Sequence, residues 1–266
     1  MRGSLVRVAL ITALATVLAP ACSLGSGTGS CYGTLDVPDC WSGNFNLHPD
    51  FFAAVPPGGV GAAGDALILR IQRGGDYETF SDGLELLIDD AGEVRGDPAS
   101  DGSPRPSLLG QELVVALPAG VTPPGVPLTT KALQSIVHAN LYLDATCRTQ
   151  NDALYAMDAV TTNPVTNGDD YEPCSEPASG DPPVDCNGGA PAGPVRTSTV
   201  TFNALFDGNP DESNTADLLS DGTFHLFLAD PREVCPSGWP PPRCRGELFG
   251  NFHFYFQRGR PAQPFP

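Results

Sequence analysis

The sequence predicts a mostly β protein, a single antiparallel β-sandwich-like domain over residues 31–266 with long disulfide-stapled loops. Three observations carry this expectation. Apolar residues recur at every second position in short runs, the period at which strand side chains alternate between two faces. The 30 glycines and 28 prolines exceed ordinary usage, while aromatic and β-branched residues bunch between them, as in short strands separated by turns. Eight cysteines occur with no Cys-x-x-Cys spacing, which suits disulfides in an exported chain better than a zinc or redox site.

Taken in order, Leu67–Arg73 alternates cleanly and breaks at Gly74-Gly75. Leu84–Val94 reads as a hairpin turned at Asp89-Asp90-Ala91-Gly92, and Gln111–Leu117 as a strand stopped by Pro118. Ile136–Cys147, Asp152–Val160 and Val200–Phe206 are further strands, the last with Val200, Phe202 and Ala204 on one side. In the final strand Phe252, Phe254 and Phe256 should face the core, while His253, Tyr255 and Gln257 face out. Gly43-Asn44-Phe45-Asn46-Leu47 is matched by Gly222-Thr223-Phe224-His225-Leu226 and Gly250-Asn251-Phe252-His253-Phe254. Each reads as a turn glycine followed by a strand. Ser213 is the expected cap of a short helix over Ser213–Leu219. Pro173–Pro194, dense in Pro and Gly, is expected as a long loop.

The N-terminal residues 1–21 read as a signal peptide: Arg2 and Arg7, then an apolar stretch from Val8 to Ala19, then Pro20-Ala21. The apolar run is shorter than the ~20 residues that span a bilayer. Leu18-Ala19-Pro20-Ala21-Cys22 resembles the bacterial lipobox, although Ala19 stands where that motif has leucine and Pro20 is unusual there. The resemblance implies that Cys22 is acylated and anchors the chain in the membrane. Ser23 at the next position implies the outer membrane, and residues 22–30 then form a lipidated cysteine with a Gly/Ser tether. Asp50-Phe51-Phe52-Ala53-Ala54-Val55-Pro56 and Phe256-Gln257-Arg258-Gly259-Arg260-Pro261 resemble segments of predicted lipoproteins from myxobacteria, a group with no assigned activity. That resemblance implies location and brings no site residues.

Acids outnumber bases 31 to 14, and Lys131 is the lone lysine. Nucleic acid is therefore excluded as a partner, because phosphate contacts need clustered cations. If Cys22 is acylated, seven cysteines remain. Cys31 with Cys40, Cys174 with Cys186, and Cys235 with Cys244 are the local pairs, which leaves Cys147 as a free thiol in a strand. A reactive Cys147 would need a base, and His138 nine positions upstream is not thereby a neighbour. A buried, inert thiol is the simpler expectation.

Candidate ligand sites are few. Asp207, Asn209, Asp211 and Glu212 place oxygen ligands at nearly alternate positions, as a calcium loop would. A turn followed by a capped helix explains the same residues, and Asn167-Gly168-Asp169-Asp170 is a poorer candidate. His225 and His253 hold equivalent places in two strands and would share a face, but zinc needs a third ligand. No nucleophile elbow, zinc-protease or phosphate-loop motif occurs, so no catalytic residue is assigned. The sequence-level expectation is an exported, lipid-anchored envelope module that binds a glycan or another envelope protein. The alternatives are an exported hydrolase using paired carboxylates and a calcium-dependent adhesion module.

Overall fold

In a computed structural model, residues 27–55, 66–74, 81–115, 136–147, 153–156, 198–209, 211–230 and 244–257 are described, 153–156 by backbone alone. The strands are β1 (Gly27–Val37), β2 (Trp41–Asn46), β3 (Phe51–Val55), β4 (Leu67–Gln72), β5 (Asp82–Ile88), β6 (Glu112–Val114), β7 (Val137–Leu143), β8 (Ala153–Ala156), β9 (Thr199–Ala204), β10 (Leu219–Ala229) and β11 (Gly246–Tyr255). All their pairings are antiparallel, in the order β2-β1-β11-β10-β8-β7-β5-β4-β3, with β9 also on β10 and β6 on β9. Two antiparallel sheets pack on each other, as the alternation predicts.

Strand β10 is the seam. One side pairs with β11. On the other side, residues 221–225 pair with β9 and residues 228–229 with β8. The front layer is therefore β2-β1-β11-β10-β9-β6 and the back layer β8-β7-β5-β4-β3. Phe52 of β3 closes the layers: its ring stacks on Phe254 of β11 at 5.7 Å.

The inner faces are filled in two ways. The back layer is aliphatic, with Leu67–Ile88–Val137 and Leu69–Leu86–Ala139 as cross-strand rows, all nearly or fully buried. The front layer alternates large and absent side chains across its strands. Gly29–Phe252–Gly222–Phe202 forms one row, Phe45–Gly33–Leu248–Leu226 another, and Gly43–Leu35–Gly246–Leu228 a third. The glycines make room for rings. A Cβ on Gly222 would stand 2.5 Å from the Thr201 carbonyl oxygen and 2.8 Å from the Phe252 ring, and one on Gly250 would collide with the Ser30 carbonyl and the Phe224 ring. A ring lying over an opposed glycine restores the buried area that the glycine lacks.

Five sequence expectations change. Gly222 and Gly250 lie inside strands rather than at turns, because the opposed phenylalanines need the space. Residues 84–94 are not a hairpin. β5 ends at Ile88, and helix α1 (Ala91–Arg95) follows, with Asp90 as its cap accepting from the Glu93 amide at 2.8 Å. Ala91 and Val94 are buried and α1 ends on Gly96 at φ 82°, so the segment packs against the core before crossing to the front layer. Gly27–Ser30, expected as tether, are already strand, with Gly27 and Gly29 seated under the Phe52 ring. Near Ser213, Asn214 is the cap instead, its side chain accepting from the Ala216 amide at 3.2 Å ahead of a 3-10 turn at Thr215–Leu218.

The last correction concerns the cysteines. Cys40 bonds Cys147, not Cys31, and Cys31 is a buried free thiol. Cys31 points into the core midway along β1, whereas Cys40 lies beyond Val37 in the turn. The six strand steps from Cys31 to Val37 already span about 20 Å, too far for Cys31 to reach Cys40 at the turn. The observed bond joins the β1–β2 turn of the front layer to the turn after β7 of the back layer. Cys147 is thus neither free nor reactive. Burial pushes the Cys31 thiol pKa up to about 12, so it is inert in the native state. Cys244 is disulfide-bonded as well, to a cysteine outside the described residues. Cys22, Cys174, Cys186 and Cys235 lie outside them too, as do Asn167–Asp170 and the Pro173–Pro194 loop.

Candidate ligand-binding face

The proposed calcium loop spends its oxygens on its own backbone. Asp207 accepts from the Asn209 amide at 2.7 Å and Asn209 from the Asp211 amide at 3.0 Å. Glu212 accepts from the Ser213 and Asn214 amides at 2.7 and 2.6 Å. These are turn-forming side-chain bonds of the kind Asp and Asn make without any ion. Burial raises the Asp207 pKa, and the two backbone amides lower that of exposed Glu212. Among the described residues, no three His, Cys, Asp or Glu side chains are grouped to hold a metal ion.

The two histidines do share a face, as expected, but serve different partners. His253 Nδ1 lies 2.8 Å from Asp221 Oδ2, and His225 Nε2 lies 2.8 Å from Glu247 Oε1. Across the β10–β11 ladder His225 stands opposite Phe249, four residues from His253 along β11. That is about 14 Å along the strand, too far for one ion to bridge.

What this face does assemble is a row of rings. Asn46, Tyr32, Phe249, His225 and Thr199 stand opposite one another on β2, β1, β11, β10 and β9, all projecting outward. Tyr32 and Phe249 have ring centroids 6.3 Å apart, and His225 stacks on Phe249 at 4.2 Å and meets Phe227 at 4.5 Å. Glu247, only 3% exposed, fixes the imidazole from the adjacent row. Tyr32 is 50% exposed, the most open large apolar side chain among the described residues. The row spans four strand spacings, about 19 Å.

Uncharged hydrogen-bonding side chains flank it. Ser30, Asn251, Thr223 and Thr201 form the adjacent row, with Ser30 donating to Asn251 at 2.8 Å. Asn44 and Thr34 lie on the other side. The Arg245 guanidinium is buried at the end of the face, 3.1 Å from Asp36.

Sequence reasoning passed over Tyr32, Phe249 and Glu247. A signal existed: Phe249 is out of phase with Phe252 and Phe254, so the alternation places an aromatic on the wet side. A large apolar ring on the wet side of a strand is more informative than one in the core. Tyr32 was obscured because no strand was expected between the tether and Gly43.

Compared with known proteins, the chain matches no family model, no curated protein and no solved structure.

Proposed function

We propose that this chain is an exported envelope protein, lipid-anchored through Cys22, whose sandwich domain binds a ligand on the outer face of its front layer. The charged, apolar and small-residue order of residues 1–21 supports export. The lipobox-like Leu18–Cys22 segment supports the anchor, and the resemblance to myxobacterial predicted lipoproteins agrees with that location. The observation that carries the binding role is the contiguous Tyr32–Phe249–His225 row, its imidazole held from the adjacent row by buried Glu247. Tyr32, half exposed at one end of the otherwise half-buried row, forgoes burial that a ligand would supply. Among the described residues, the candidate-loop carboxylates Asp207 and Glu212 are engaged by backbone amides of their own turn, and the binding reading is the one favoured here.

Two measurements test this. The intact mass of the mature protein from a lipoprotein-processing host should show a diacylglyceryl-modified Cys22 start, and Cys22→Ser should release the protein from membranes. An unmodified start elsewhere overturns the anchor. Labelled full-length mature protein carrying Cys22→Ser, with no lipid to hold it, should be retained on delipidated cell envelopes, and Tyr32→Ala in the same background should weaken retention about tenfold, the ~1.4 kcal/mol of one exposed aromatic contact. Equal retention of parent and variant overturns the binding face.

A further inference from the structure

We infer that the ligand of this face is a neutral polysaccharide, lying across the strands along the Asn46–Tyr32–Phe249–His225–Thr199 row; the inference rests on the binding role proposed above. Charge excludes one large class. The chain carries a formal net charge of −17, and Arg245, the described arginine on this face, is buried against Asp36. Glu247 and Asp221 add carboxylates beside the row. An anionic polymer would meet repulsion here, with no exposed Lys or Arg among the described residues of this face to offset it.

Size and layout argue against a protein partner. A stable protein interface needs about 800 Å² per side around a desolvated apolar centre. The exposed large hydrophobics among the described residues are Tyr32, Trp41 and Tyr255. Tyr255 lies six residues along β11 from Phe249, about 20 Å away. Trp41 lies near the far end of β2, packed edge-on against Phe45 at 6.2 Å. These rings do not merge into one patch.

A sugar chain asks for what the row offers. Pyranose rings present C–H faces, which pair with aromatic rings through the ring quadrupole, and hydroxyls at their edges, which need both donors and acceptors. Tyr32 supplies the exposed ring, while Asn46, Asn44, Ser30, Asn251, Thr34 and Thr223 supply both hydrogen-bond roles without charge. The length of about 19 Å suits an extended oligosaccharide rather than one sugar.

Affinity electrophoresis of the full-length mature protein in gels containing a neutral β-glucan, a galactomannan, a neutral xylan or an α-glucan tests this, with dextran sulfate as the anionic arm. At least one neutral polymer should retard the protein. Tyr32→Ala should weaken that retardation tenfold or more, Tyr32→Phe should keep most of it, and Trp41→Ala should leave it unchanged. Thermal melts of each variant confirm folding, which a half-exposed Tyr32 should not perturb. Retardation by none of the four neutral polymers, by dextran sulfate alone, or equally in Tyr32→Ala overturns the inference. If neutral polymers fail while Tyr32→Ala still loses envelope retention, the glycan class falls and the binding face stands. If both measurements fail, the binding role falls with it.

Discussion

The two layers of this sandwich solve the same packing problem with different side chains. The back layer fills its inner face with Leu, Ile, Val and Ala, and its outward positions are shielded too: Gln72, Glu85 and His138 are buried, and Arg70 pairs with Glu85 at 3.1 Å. The front layer fills its inner face by setting Phe and Leu against glycine, and leaves Tyr32, Thr223, Asn251 and His253 outward in solvent. An antiparallel sheet with one dry and one wet face can carry a site on the wet one. Sheltered on both sides, the back layer acts as support. Function is therefore expected on the layer whose interior packs by the less common rule.

The largest expected effect breaks the connection between the layers. Cys40–Cys147 closes a sequence separation of 107 residues and ties one end of the front layer to one end of the back. Removing it as Cys40→Ala/Cys147→Ala should lower the unfolding free energy by about 4 kcal/mol, read by urea denaturation. Cys31→Ala, which removes only a core sulfur, should cost about 1 kcal/mol. A loss below 1 kcal/mol for the double variant would mean the layers hold together without their staple. Thiol titration of the parent should find Cys31 unreactive when folded and reactive in denaturant, following its burial.

A second test separates the two packing rules. Gly250→Ala should cost about 3 kcal/mol by overpacking, because the new methyl meets the Ser30 carbonyl and the Phe224 ring. Leu86→Ala should cost a similar ~3 kcal/mol by the opposite route, a cavity. Only the first should be relieved by shrinking its neighbour. Gly250→Ala combined with Phe224→Leu should show a coupling of at least ~1 kcal/mol in a double-mutant cycle. Simple additivity would mean that Phe224 does not occupy the space glycine leaves.

The same contrast explains what could be read in advance. Leu67–Gln72 and Val137–Leu143 announce themselves because aliphatic side chains alternate with polar ones and nothing interrupts the period. In the front layer, Gly222 and Gly250 read as turns, since a lone sequence cannot show that a phenylalanine from the next strand fills the gap. The Asp89–Gly92 segment misled for a local reason: Asp followed by small residues signals both a hairpin turn and a helix cap, and only burial of Ala91 and Val94 decides. The disulfide was hidden because proximity in sequence was used where strand length governs. His225 and His253 were correctly placed on one face, but the aromatic row beside them depends on register, which residue spacing does not reveal.

The smallest effect tests how tightly the back layer is sealed at its stapled end. Asp82 accepts from the Ala145 and Thr146 amides at 2.9 Å each and from the Thr146 hydroxyl at 2.6 Å, fixing the turn that carries Cys147. Asp144 sits beside it, and burial, then the Asp82 charge, raise its pKa. A carboxyl whose folded pKa is raised contributes stability below its unfolded pKa and loses it as pH rises through the folded value. At neutral pH its charge is therefore a cost, partly screened by solvent at the turn. Asp144→Asn should raise the Tm at pH 7 by about 1–2 °C, and the gain should vanish as pH falls through the carboxylate range. Because Asp82 keeps its three donors in the variant, a gain that persisted at low pH would trace to the amide's own hydrogen bonds. Only a gain that titrates away assigns the cost to the Asp144 charge buried next to the staple.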